Sequence, residues 1–479
     1  MKPSLATLIF ACGIVGLFYL DRDKSLKTSK ALWIPVFWLW ILGSRGPTVW
    51  LGLAPPAGPD TQLDGTPLDR AIFMLIIAAG VVALIRRGSK VFDAIRANGV
   101  IAAYFGFCLV SVLWSDFPAV SAKRWIKAIG DAVMILIVVT DSSPVGAFKR
   151  LVSRVGFVLL PPSILLIKYY PALGRAYDVW HGNVINIGVT TNKNMLGVIV
   201  FVITLGTFWR VLTLIRSSNQ PNRFRHLVAH LILLGFGVRL LIQADSETSK
   251  ACFALGACLL LVTSISFVGR HTWAVHAVAL TAVLIGADVM LLGGGRSLVH
   301  AMGRHDDLGR TQIWEEVIPM APNAIVGAGF ESFWLGPRLH EIQAANPGNP
   351  LNEAHNGYIE VYLNLGLIGL CLIAILLITG YVRAIRVFRK VDRSFGGLLV
   401  AYVVTGTIYC ITEAGFRTMG PNWIFLLFAI VGASIFSSKS AALVKEEKPL
   451  VTAVALPRIG LPTAKNTLRV GLAGRNTPN

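Results

Sequence analysis

The chain has 479 residues, of which 54% are hydrophobic and only 14% charged, and its mean hydropathy is +0.64. A soluble chain carries about 25% charged residues and needs that polar surface to coat itself. A soluble enzyme, a disordered protein and a disulfide-rich secreted module are therefore excluded, which leaves a polytopic membrane protein. The formal net charge of +19 would suggest nucleic acid on a soluble chain. Here it follows from basic residues gathering in cytoplasmic loops, so no nucleic acid is expected as partner.

Apolar runs recur along the chain with basic or polar breaks between them. They predict spans at 4–20, 31–43, 71–85, 99–114, 128–140, 155–167, 195–208, 227–242, 251–268, 274–292, 359–382, 398–412 and 423–436. That makes thirteen, or twelve if 31–43 is re-entrant. Several are shorter than the ~20 residues of a straight span, so their ends extend into the flanks. Pro161-Pro162 should kink the sixth. No small-residue cleavage site precedes Asp21, so the first run is a retained span. All six cysteines lie in apolar runs, with neither a disulfide framework nor a zinc spacing.

Placing 21–30 in the cytoplasm and alternating puts Arg86-Arg87, the basic stretch 383–393 and the tail inside, as the positive-inside rule requires. The chain then divides into a helical membrane domain, 1–437, and a cytoplasmic tail, 438–479, whose polar composition predicts disorder. One outside loop, 293–357, is long enough to expect function of it. Smaller outside loops occupy 45–70 and 168–194. No internal repeat is visible, which speaks against a transporter built on paired halves.

The large loop carries the residues that could do chemistry. Arg310 opens an amphipathic stretch, 310–320, whose Ile313, Trp314, Val317 and Ile318 could rest on the membrane interface. His355 sits where the polar loop meets an apolar helix. A reaction that consumes a lipid pyrophosphate-linked donor needs a fixed cation for the leaving group, which Arg supplies through its planar fork. It also needs a base for the attacking hydroxyl, which His supplies near neutral pH. By residue type alone, Arg310 is equally a snorkelling interface residue and His355 a helix cap. The His300, His305, Asp306, Asp307 spacing fits no standard metal site, and His340-Glu341 lacks the second histidine of a zincin. Neither metal nor cofactor is expected.

The longer motifs carry a resemblance. The segments are Gly309-Arg310-Thr311-Gln312-Ile313-Trp314, Gly327-Ala328-Gly329-Phe330-Glu331-Ser332-Phe333 and 354–369, which includes Leu363-Asn364-Leu365-Gly366-Leu367-Ile368-Gly369. Together they resemble the signature loop of the O-antigen ligase/polymerase superfamily, which includes lipopolysaccharide ligases and Wzy-type and ExoQ-type polymerases. Leu113-Trp114-Ser115-Asp116-Phe117-Pro118 and Thr191-Asn192-Lys193-Asn194-Met195-Leu196-Gly197 resemble ExoQ-type elements. The resemblance implies an all-α membrane enzyme of 12–13 helices, GT-C-like, with one large periplasmic loop. It would sit in the bacterial inner membrane and move glycan from undecaprenyl pyrophosphate to an acceptor hydroxyl, with inversion and without a metal. It implies Arg310 at the donor pyrophosphate and His355 beside the acceptor as base or orienter. A second family cation follows a serine; here the match is Ser249-Lys250, so Lys250 or Arg239 would hold the donor. Arg124 and Lys193 would help gather it.

The function implied is an ExoQ-like polymerase of lipid-linked exopolysaccharide units. The alternatives are an O-antigen ligase acting on lipid A–core and a lipid-linked glycan transporter. Partners would be the donor, the acceptor and membrane lipids, with a flippase and a chain-length regulator alongside.

Overall fold

The computed structural model describes residues 1–23, 26–53, 65–177, 182–217, 222–291, 310–346 and 351–451, with backbone alone at 287, 289–291, 310–311 and 439–451. The chain is an all-α polytopic membrane protein. Helices run in the order α1 (Pro3–Leu20), α2 (Trp33–Leu42), α3 (Pro47–Trp50), α4 (Pro67–Ile85), α5 (Ser89–Ala97), α6 (Gly99–Val110), α7 (Pro118–Val139), α8 (Pro144–Tyr169) and α9 (Pro171–Gly174). A hairpin follows, β1 (Arg175–Tyr177) against β2 (Val184–Asn186), antiparallel with Arg175 opposite Asn186. Then come α10 (Lys193–Arg216), α11 (Arg223–Gln243), α12 (Glu247–Ser264), α13 (Ser266–Arg270), α14 (Trp273–Leu291), α15 (Arg310–Val317), α16 (Gly336–Ala345), α17 (Gly357–Lys390), α18 (Arg393–Thr412) and α19 (Pro421–Val451).

Each of the thirteen apolar runs is helical. Among the described residues nine helices are long and apolar enough to cross a membrane, and ten if α5 and the segment Gly99–Trp114, bent by 83° at Asn98, form one broken span. Lys30–Leu42 and Trp273–Gly286 are apolar but shorter. Helix α7 begins ten residues before its apolar run does, because Lys123, Arg124 and Lys127 interrupt its first half. Arg124, Lys127 and Asp131 nevertheless point inward and are buried.

Contacts divide the chain into Met1–Ser438 and Lys439–Asn479. Helical backbone continues to Val451, well past the apolar run that ends at Phe436. In the first unit, α18 and the first part of α19 are the most enclosed helices, with 83% and 89% of their apolar windows buried, against 11% for α1. Phe148 of α8 stacks on Phe428 at 4.2 Å and meets Phe395, Tyr402 and Phe425 edge-on, geometry that aromatic quadrupoles favour.

The described part of the large loop forms a second small core. Ile313, Val317, Phe333, Trp334 and Ile342 pack on Ala354, Ile359 and Leu363 at the start of α17. Ile313 and Val317 thus face inward, and Trp314 Nε1 donates to the Ala354 carbonyl at 2.8 Å. This corrects the expectation that 310–320 rests on the membrane interface: the loop has enough apolar side chains to bury that face against itself, and only Ile318 stays exposed.

Candidate active site at the junction of the large loop and the last helices

Helix α17 is broken at Gly366, whose φ of +63° is non-helical. The break exposes carbonyls that a straight helix would use internally. The Gly327–Phe333 motif fills that gap. Ala328 N and Gly329 N donate to the Leu363 and Asn364 carbonyls at 2.9 and 2.8 Å, while Leu367 N and Ile368 N donate to Ala324 and Ile325 at 2.9 and 3.1 Å. A Cβ on Gly366 would stand 2.3 Å from the Ile325 carbonyl carbon, so only glycine permits this approach. The 113–118 element docks on the same loop. Ser111 Oγ accepts from Phe330 N at 3.0 Å, Trp114 Nε1 donates to the Val326 carbonyl at 3.3 Å, and Arg338 pairs with Asp116 at 2.9 Å. The 113–118, 327–333 and 363–369 motifs therefore assemble into one scaffold.

On this scaffold sits a cluster of ionisable groups. Asn356, fully buried, caps α17 by accepting from Tyr358 N and Ile359 N, and its Nδ2 donates to the Ile411 carbonyl at 3.0 Å. Ala354 N is held by Glu360 at 2.5 Å. Pinned on both sides, His355 adopts φ +48°. Its Nδ1 lies 3.0 Å from Glu353 Oε1 and 3.5 Å from Glu413 Oε2. These are ion pairs without aligned hydrogen-bond geometry. Arg417 Nη1 pairs with Glu353 Oε2 at 3.2 Å. Burial of the imidazole opposes its charge, but the two carboxylates outweigh it and raise its pKa to about 10. The two carboxylates thus favour the charged form of His355.

A cavity of about 320 Å³ opens beside this cluster. Glu353, Glu413 and Arg417 line it together with Thr191, Asn192, Asn194 and Asp69, over an apolar floor of Ile41, Leu42, Phe73 and Val198. His355 is not among the lining residues and stands behind the two carboxylates. Asn192 Oδ1 accepts from Met195 N at 2.7 Å and starts α10 there. Asp69 accepts from Thr48 N and Oγ1 at 3.0 and 2.6 Å and forms a capping box with Thr66. Strain gathers around the site. Of the five non-glycine residues with positive φ among those described, Glu331, His355 and Met419 lie in its walls and supports. Each costs about 1–3 kcal/mol and persists only where its surroundings over-determine it.

The candidates read from the sequence separate in space. Arg310 begins α15; its side chain lies outside the described residues, as do His300, His305, Asp306 and Asp307. Lys193 begins α10 and is half-buried; its neighbours line the cavity and it does not. Arg124 is buried and donates to the Glu331 carbonyl, while Glu331 Oε1 accepts from Thr418 N at 3.3 Å, so it braces the cavity wall from behind. Lys250 pairs with Glu247 at 2.6 Å and Asp245 at 3.8 Å, and Arg239 is exposed on α11; neither lines the cavity. Glu413, Arg417 and Glu353 carried little weight in the sequence. The available signal was an ionisable residue directly after an apolar span, which holds for Glu413. Among the described residues one group has metal-ligand spacing, with the ligating atoms of Glu353, His355 and Glu413 within 4.8 Å of one another. A protonated Nδ1 and the Arg417 guanidinium already supply positive charge there.

Fold and site together define a multi-pass, largely helical membrane protein with a cavity where Glu353, from the end of the long loop, meets Glu413 and Arg417. Residues 227–374, from α11 through the loop into α17, match the O-antigen ligase family. Over 303 residues the chain is 24% identical to the exopolysaccharide production protein ExoQ of Rhizobium meliloti (strain 1021), a match that covers 61% of this chain and 66% of that relative, just under two thirds of its length. The likeness to the O-antigen ligase/polymerase superfamily stands on these two matches.

Proposed function

We propose that the protein is a glycosyltransferase that joins lipid-linked repeat units of an exopolysaccharide at the periplasmic face of the inner membrane. The observation that carries this reading is the cavity at the end of the large loop, in which two carboxylates held by His355 face Arg417. The ExoQ match supports a polymer-forming role over a ligase role, and motif likeness supports an undecaprenyl pyrophosphate donor.

In this reading the acceptor hydroxyl oxygen attacks the anomeric carbon of the donor. The new glycosidic bond forms as the carbon–oxygen bond to pyrophosphate breaks, and the polyprenyl pyrophosphate leaves with the electron pair. One displacement inverts the anomeric centre. Glu413 takes the hydroxyl proton, because it lines the cavity and His355, already protonated, cannot. His355 acts as the orienter. Arg310 and Arg417 offset the charge of the leaving pyrophosphate through the guanidinium fork. No metal enters the step.

The test is substitution with product analysis in cells. Arg310→Ala should cost on the order of 10²–10³ in rate, as loss of one fixed transition-state donor does, and Arg310→Lys should recover part of it. Glu413→Gln should cost about 10²–10⁴, the range for a lost general base. A polymerase defect leaves single repeat units on the carrier. A ligase defect leaves long polymer on the carrier and bare lipid A–core. Wild-type polysaccharide in all three variants at matched protein level would remove this cavity from the chemistry.

A further inference from the structure

A second pocket lies at the other end of α4. Asp69, in the first turn of that helix, lines the cavity described above. Arg86 follows its last residue, about 25 Å away at 1.5 Å per residue. This pocket encloses about 540 Å³ and is lined by four cations, Lys27, Arg86, Arg87 and Lys90, with the hydroxyls of Thr28 and Ser142 among them. Among the described residues no carboxylate lines it. Asp141 is buried behind the wall, where it pairs with Arg87 at 3.4 Å and accepts from Ser29 N at 3.0 Å. Asp141 thus offsets Arg87 and leaves the charge of Lys27, Arg86 and Lys90 facing the opening.

The rim is fixed. Arg150 donates to the Asp23 and Leu26 carbonyls at 2.6 and 2.7 Å, and Ser142 Oγ donates to the Lys27 carbonyl at 2.8 Å. These bonds hold Leu26 and Lys27 in place. Like charges held together by scaffold bonds repel, and an anion relieves that repulsion.

Helix α5 distinguishes which anion. It starts at Ser89 on the pocket edge and turns by 83° into the following membrane segment. Phe92 and Ile95 on it are 65% and 48% exposed, next to Ile85 at 72%. An amphipathic helix lying across the end of a span, with cations on one side and bare aromatic and aliphatic side chains on the other, has interfacial geometry. A soluble phosphate would use only the cations. A lipid uses both, with its phosphodiester in the pocket and its acyl chains along Ile85 and Phe92.

We propose that this pocket is a binding site for the headgroup of an anionic glycerophospholipid, on the membrane face opposite the candidate active site. It stands independently of the proposed glycan transfer.

The experiment is native mass spectrometry of the full-length protein in detergent, titrated with phosphatidylglycerol, phosphatidylcholine or inorganic pyrophosphate. Each cation near a lipid phosphate is worth about fivefold in affinity. Lys27→Gln/Arg86→Gln/Lys90→Gln should therefore weaken phosphatidylglycerol binding on the order of 100-fold and leave phosphatidylcholine unchanged. Phe92→Ser should weaken phosphatidylglycerol and not pyrophosphate. Equal phosphatidylglycerol affinity in the triple variant and the wild type would overturn the site. Pyrophosphate binding as tight as the lipid's, with Phe92→Ser neutral towards both, would assign the pocket to a soluble phosphate and overturn the lipid.

Discussion

Asp131, in the middle of α7, accepts at 2.9 Å from the backbone N–H of Met419, 288 positions later in the chain. Its other oxygen accepts from Trp38 Nε1, also at 2.9 Å. One fully buried carboxylate thereby fixes α2, α7 and the short loop that carries Glu413 and Arg417. Asp131→Ala leaves two buried donors without partners, at about 1–3 kcal/mol each. Asp131→Asn keeps one acceptor and turns an N–H₂ toward the other donor, so it should fall between alanine and wild type. Thermal melting of the detergent-purified protein checks the order; wild-type stability in the alanine variant would show that the loop is held by other contacts.

The His355 ion pairs make a prediction about pH. Its folded-state pKa is raised to about 10 from an ordinary value near 6.5. The sign follows from linkage: the folded state holds this proton more tightly than the unfolded state. The contribution to stability is complete below about pH 6.5, declines as pH rises from there, and is gone once pH passes about 10. Melting temperature measured from pH 6 to 10.5 should fall further in wild type than in His355→Gln. Parallel curves for the two proteins would mean that the imidazole is neutral in the folded state, which would restore His355 as a candidate base.

Much of this architecture is legible in the sequence. The thirteen apolar runs are all helices, because a membrane demands long uninterrupted hydrophobic stretches that composition alone reveals. What hydropathy cannot see is a charged residue that turns inward. Lys123, Arg124 and Lys127 made the first half of α7 read as a loop, yet Arg124 and Lys127 are buried, and Arg124 meets Glu331 far away in the chain. The site was half legible for the same reason. His355 announced itself within a recognisable motif. Glu413 and Arg417 follow the penultimate apolar run and belong to no motif, and tethers distant in sequence, from Asn356 to Ile411 and from Asp131 to Met419, hold their loop beside His355.

Gly366 offers a sharper stability test. Gly366→Ala adds a Cβ 2.3 Å from the Ile325 carbonyl carbon at φ +63°. This positive-φ, extended-ψ conformation, essentially restricted to glycine, alone costs about 1–3 kcal/mol, and the clash adds to it. Gly13→Ala, where nothing lies within 4 Å, should be neutral. Monodisperse yield after solubilisation compares the two; equal yields would mean that the break in α17 relaxes without cost.

Chelation tests the charge state of the Glu353, His355 and Glu413 cluster. With an imidazolium at its centre, glycan transfer by the purified protein should survive EDTA. Activity that collapses and returns with Mg²⁺ or Mn²⁺ would instead make these three residues ligands.

Orientation follows from the charge asymmetry. A cysteine at exposed Ala345 of α16 should react with an impermeant maleimide in cells with a permeabilised outer membrane, and one at exposed Lys90 should not. The reverse pattern would invert the topology.

The break in α17 bears on which part of the structure can move. Residues 324–329 exchange four main-chain bonds with the two halves of that helix, and those bonds would have to rupture together for this stretch to swing aside. It therefore serves as a fixed brace instead of a lid. None of these residues lines the cavity, so any movement that opens it has to come from another wall.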